Sequence, residues 1–192
     1  MYKNYNMDAQ ESVQIIENML QRTHGNMYKH KPYFLLWGLA VFLCSLIQFV
    51  FIKLDIKNNE YVWIAMPFIA IIHIVLVIKN KKERLVKTYS EEAINALWTS
   101  LGLAFIVLTF YASIVYPGVL PLFIILYGIG TYTTGKIISF KPLYWGGLLC
   151  FGLSFLALFL DKDYHLLILA IAILMSYIIP ALLLKKLDTS TP

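Results

Sequence analysis

YFLLWGLAVFLCSLIQFVFI, residues 33–52, decides the fold, because these 20 consecutive residues contain no Asp, Glu, Lys or Arg. At 1.5 Å of rise per residue, a helix of this length spans about 30 Å, the thickness of the hydrocarbon core of a bilayer. Five further runs of the same kind follow at 61–78, 94–115, 118–135, 143–160 and 165–184, and none has an ionised side chain in its interior. The pattern predicts an all-α polytopic membrane protein: a bundle of six transmembrane helices.

Composition agrees. The chain has 192 residues, 59% of them hydrophobic, and a mean hydropathy of +0.69. Soluble domains typically run at about 45–50% apolar. Six spans fill residues 33–186 and leave a cytoplasmic N-terminal segment at 1–32 and a short cytoplasmic tail at 187–192, with no room for a separate soluble domain. The net charge of +5 comes from basic residues in short connections beside the spans, so nucleic acid is not an expected partner. Cys44 and Cys150 both lie inside apolar runs, where cysteine acts as a small packing residue, and neither a disulfide nor a metal site is expected. The first 32 residues are polar and mixed in charge. They do not read as a cleavable signal peptide, and the first span is expected to serve as its own insertion signal.

The loops set the orientation. Basic residues near span ends mark the cytoplasmic side. If the spans alternate, thirteen of the 16 Lys and Arg residues fall on one side, and the other side holds only Lys53, Lys57 and Lys162. Both termini are therefore expected in the cytoplasm. Trp37, Trp98 and Trp145 mark the cytoplasmic headgroup level, and Tyr61, Trp63, Tyr116 and Tyr164 the opposite one, as amphipathic rings prefer.

Ahead of the first span, residues 8–24 read as a short amphipathic helix. Asp8 is a suitable N-cap with Glu11 three residues on, and Val13, Ile16 and Leu20 share a face. The helix is expected to lie in the interface, dock on the bundle or meet a partner. Ser90, Glu91 and Glu92 make a helix start for span three. Pro121 and Pro142 stand near helix starts, where a missing N–H costs little, whereas Pro67 and Pro180 lie within spans and are expected to bend them. Lys31-Pro32 with Trp37-Gly38 is echoed by Lys141-Pro142 with Trp145-Gly146. Belt anchoring and loop charge also produce such an echo without duplication.

Chemistry-bearing residues inside the spans are few. His73 is a titratable group in span two, with no acidic or cysteine partner at helical spacing, and Gln48 is a strongly polar residue in span one. Span four carries Tyr127, Thr131 and Thr134 beside glycines. If a polar path exists, His73, Gln48, Tyr127, Thr131 and Thr134 are its expected lining, and interhelical hydrogen bonding is the alternative use. Gly128 and Gly135 share a face of span four, and Gly146, Cys150 and Ser154 make a second small-residue stripe in span five; both are expected to admit a close neighbour, either each other or a second protomer. No catalytic residue and no cofactor is expected, since the spans lack HExxH, paired carboxylates and Gly-x-Ser-x-Gly.

These features favour a non-catalytic accessory, scaffold or regulatory membrane protein. Its partners would be the lipid bilayer together with a membrane or cytoplasmic protein or a second copy of the chain. The alternative is a passive channel or transporter for a small neutral solute.

LPLFIILYGIGTYTTGKIISFKPLYWGG at 120–147, FLLWG at 34–38 and SYIIPALLLKK at 176–186 together resemble a family of small six-span membrane proteins of Bacteroidetes-type bacteria. The resemblance implies the bacterial inner membrane as the location. It carries no assigned activity, so no functional residues follow from it.

Overall fold

A computed structural model describes residues 9–80, 89–115 and 118–184. Six helical stretches occupy them. Helix α1 spans Ala9–Lys53; a 3-10 turn at Asn59–Ile64 leads into α2, Ala65–Asn80; α3 is Tyr89–Val115, α4 Leu120–Ile137 and α5 Lys141–Ala157. The last stretch begins with a 3-10 turn at Lys162–Tyr164 and continues as α6, His165–Ile173, a π segment, Leu174–Ile178, and α7, Ile179–Leu183. Four stretches are long and apolar enough to cross a membrane: Lys31–Lys53, Asn59–Lys79, Tyr89–Ala112 and Lys162–Leu183.

The remaining two are short: α4 has the length expected of the 118–135 run but lies two residues further along, and α5 starts two residues ahead of its run and ends one residue shorter in all. Helix α4 has 18 residues and α5 has 17, about 27 and 26 Å of rise. The fifth run was expected to reach residue 160, but α5 stops at Ala157, and Leu158, Phe159 and Leu160 close turns back onto Phe155, Leu156 and Ala157.

The expected separate N-terminal helix is corrected. Residues 9–24 belong to α1, which runs unbroken through Pro32 for 45 residues. Proline deletes one backbone hydrogen bond, and the helix continues past it into a span anchored by packing on both sides. The cap Asp8, the side chains of the amphipathic face, the basic connection at 81–87, Tyr116 with Pro117, and the tail lie outside the described residues or side chains.

Pro67 is the third residue of α2 and lies inside the continuous Asn59–Lys79 stretch, where the helix changes from 3-10 to α just ahead of it. Pro180 perturbs its helix. A proline ring clashes with the carbonyl four residues back, here that of Ser176, and Ser176 sits in the π segment that loosens this turn.

Helices α4, α5 and α6 with its π segment form the centre, and α4 and α5 share the most extensive interface. Helix α1 packs on α6, α2 leans on α1, and α3 leans on α4. Burial follows this order: 61% of the most apolar window of the sixth stretch is buried, but none of that of the second. Phe68, Val75, Leu103, Phe110 and Ile114 consequently project outward. In water, so much contiguous apolar surface would be untenable at about 25 cal/mol per Å². Facing acyl chains, it carries no such cost.

The helix ends gather at two levels. At one end Ile94, Ile138, Leu143 and Leu184 cluster with Phe34 and Trp98, joining the starts of α1's span, α3 and α5 to the ends of α4 and α7. There the Lys31 ammonium donates to the carbonyls of Leu182 and Leu184, each at 3.2 Å, and caps the last turn. At the other end Lys53 pairs with Asp163 at 3.3 Å and lies 4.6 Å from the Tyr164 ring centre. Successive helices therefore run antiparallel, as their short connections require.

Candidate functional site

The five polar residues expected to line a path fall in three separate places. The first lies near the Lys53 end. Gln48 is fully buried; its carboxamide nitrogen donates to Asn59 Oδ1 at 3.0 Å, and its oxygen accepts from the Trp63 indole N–H at 2.6 Å. This knot ties α1 to the 3-10 turn that opens the second stretch. Cys44 adds a weak contact from the same face, its thiol 3.6 Å from the Val62 carbonyl.

The second place is the α1–α2 seam. The His73 ring meets Tyr33 edge-on at 5.1 Å and Trp37 at 6.0 Å between centres. Its Nδ1 is buried with no hydrogen-bond partner. Tyr33 reaches past it to the Leu76 carbonyl at 3.4 Å.

The third place is the α3–α4 seam. Thr134 Oγ1 accepts the Trp98 indole N–H at 3.1 Å. Thr131 Oγ1 instead turns back to the Tyr127 carbonyl of its own helix at 2.7 Å. Tyr127 sits in an aromatic cluster with Phe105 at 4.7 Å and Tyr177 at 5.9 Å; Tyr177 stacks on Phe34 at 4.7 Å and meets Trp98 at 5.7 Å. The structure thus brings Tyr127, Thr131 and Thr134 together, and places Gln48 and His73 each elsewhere. The cavity outlined at the Lys31 end, between Phe34, Leu143 and Pro180, has a volume of about 10 Å³, room for about one water.

Small residues determine how these seams close. A side chain at Gly128 would meet Cys150 and the Gly147 carbonyl at 3.0 and 3.1 Å, and one at Gly135 would collide with the Tyr144 backbone. Both glycines of the span-four stripe face α5. Of the span-five stripe, Cys150 faces Gly128, and Ser154 donates to the Pro121 carbonyl at 2.9 Å, a second tie to α4. Gly146 faces the other way, with Ser176 Cα 2.7 Å from where its side chain would begin. Gly38 flanks the same π segment from α1, with the Tyr177 ring 2.9 Å from where its side chain would begin.

Sequence reasoning gave Gly147 no packing role and took Gly130 only as one of the crowded glycines of span four. Gly147 lies against the Tyr132 backbone, and Gly130 beneath the Trp98 ring. The GG pair at 146–147 was a usable signal, since adjacent positions on a helix face about 100° apart and so serve two neighbours.

Comparison with protein-family models, with curated proteins and with solved structures returned no match.

Proposed function

We propose that this chain is a six-span protein of the bacterial inner membrane, with both termini in the cytoplasm, acting as a non-catalytic accessory, scaffold or regulatory subunit. The observation that carries this reading is the use made of polar side chains. Gln48, Trp63, Trp98, Thr134 and Ser154 hydrogen-bond between elements, while Thr99, Thr109 and Thr131 bond back to their own helices. Polar groups in a membrane are used in this way when their work is to hold helices together.

The remaining arguments point the same way. Four apolar stretches are long enough to span, and the end where Lys31, Lys136 and Lys141 stand is the one flanked by the basic connection, which the positive-inside preference assigns to the cytoplasm. The resemblance to small Bacteroidetes-type membrane proteins supports the inner membrane. A passive path for a neutral solute draws less support, because its five expected lining residues occupy three separate places.

Purification in mild detergent, paired with reconstitution, tests the reading. A partner retained at fixed stoichiometry in two unrelated detergents, together with no solute flux from proteoliposomes holding the chain alone, is the expected result. Flux through the isolated chain would overturn it in favour of the conduit.

A further inference from the structure

Lys53 is neutralised by Asp163. Exposed lysines without a carboxylate partner among the described residues stand at both ends of the bundle, Lys57 and Lys162 at one and Lys136 and Lys141 at the other. Of these, only Lys136, the basic residue of α4's last turn, and Lys141, the first residue of α5, flank a single helix–helix turn, that between α4 and α5. Lys136 is nevertheless held in place, its ammonium 4.2 Å from the Tyr144 ring centre and 5.7 Å from that of Tyr132. Gly135 permits this by letting the Tyr144 backbone press onto α4. A held cation with a second one across the same short turn, neither with a carboxylate partner among the described residues, is complementary to phosphate.

An apolar track leads away from this pair. Trp145, Leu149 and Leu156 are exposed on α5, and Gly152 lies between them with open space where a side chain would stand. Spacings of four, three and four residues keep all four on one helix face. Gly152 is eleven residues beyond Lys141, about 16 Å along the axis, which matches the roughly 15 Å depth of one leaflet.

We propose that the α4–α5 turn and the outer face of α5 form a binding site for an anionic phospholipid, its phosphate between Lys136 and Lys141 and an acyl chain laid over Trp145 into the dent at Gly152. The proposal rests on the membrane reading given above. The lipid is a negatively charged diacyl species; a zwitterionic lipid shares its chains and phosphate but carries a compensating cation that the two lysines would repel.

The test uses the full chain in nanodiscs or detergent, with native mass spectrometry after addition of phosphatidylglycerol or phosphatidylcholine of identical chains. The wild type is expected to retain phosphatidylglycerol about tenfold better. Lys136→Gln with Lys141→Gln should abolish that preference, Gly152→Leu should weaken retention of the lipid, and Lys53→Gln at the opposite end should change neither. Equal retention of the two lipids by the wild type, or an unchanged preference in the double variant, would overturn the site while leaving the membrane reading intact. Failure of the chain to enter phosphatidylcholine nanodiscs at all would overturn both.

Discussion

The indole of Trp98 does two things at Thr134 and Gly130: its N–H donates to the Thr134 hydroxyl at 3.1 Å, and its six-membered ring lies against the bare backbone of Gly130. Among the described elements α3 packs chiefly on α4, and Trp98 fastens it there together with Phe105, which meets Tyr127 at 4.7 Å. Trp98→Phe keeps much of the ring but removes the donor, and should destabilise the fold by about 1 kcal/mol, in the range of interhelical hydrogen bonds in membranes. Trp98→Ala should cost about 3 kcal/mol or more, as large aromatic deletions do in cores. Thermal or denaturant unfolding in a fixed detergent checks both; equal losses would show that the hydrogen bond carries the contact.

The glycines should fall into distinct classes on substitution. Gly147→Ala and Gly135→Ala drive a methyl into the backbones of Tyr132 and Tyr144, which cannot yield without separating α4 from α5, and overpacking of this sort costs about 1–3 kcal/mol. Gly130→Ala meets side-chain ends, Leu101 Cδ1 at 2.7 Å and Trp98 at 2.9 Å, and should cost less. Gly152→Ala meets nothing within 4 Å and should be neutral or stabilise by up to about 1 kcal/mol through helix propensity. A melting series over these four variants would contradict the packing if the order were reversed.

Gln48 and Trp63 should be energetically coupled. Gln48→Leu leaves the Trp63 N–H and the Asn59 carboxamide without their partner, and Trp63→Phe leaves the Gln48 oxygen without its donor. Each single change should cost about 1–2 kcal/mol, and a double-mutant cycle should return an interaction energy of about 0.6 kcal/mol or more. Additive losses would separate the two residues.

His73 gives a prediction of the opposite sign. Its Nδ1 is buried without a partner while its ring makes edge contacts with Tyr33 and Trp37. His73→Phe keeps an aromatic ring and removes the unsatisfied nitrogen, so stability should be unchanged or rise by up to about 1 kcal/mol. A clear loss in the same melting assay would mean that the imidazole makes an essential polar contact.

How much of this is legible beforehand depends on what a bilayer leaves for sequence to encode. The apolar runs announce the helices, and the first turn of α3, carrying Glu91 and Glu92, stands where its charges suggest. Which helix faces which is harder to read, because a span is apolar on all sides and gives no polar face to mark the outside. The glycine stripes are visible, but Gly146 and Gly147 differ by one position and serve different neighbours, a distinction of rotation that composition does not carry. The continuation of α1 through Pro32 depends on where the helix begins, the property that uniform hydrophobicity specifies least. Gln48 and Trp63 are fifteen residues apart, and only the turn at 54–58 brings them together.

The central claim, a multi-span protein with the lysine-rich end of its bundle in the cytoplasm, is tested most directly by site-directed thiol labelling in intact cells. The native thiols of Cys44 and Cys150 are buried and give a low background. Glu60→Cys and Asp161→Cys, exposed at the Lys53 end, should react with a membrane-impermeant maleimide added outside, and Glu92→Cys, exposed at the opposite end, should react only after the inner membrane is permeabilised. Labelling of residue 92 in intact cells with protection of 60 and 161 would invert the orientation, and recovery of the chain in the soluble fraction would contradict the account altogether.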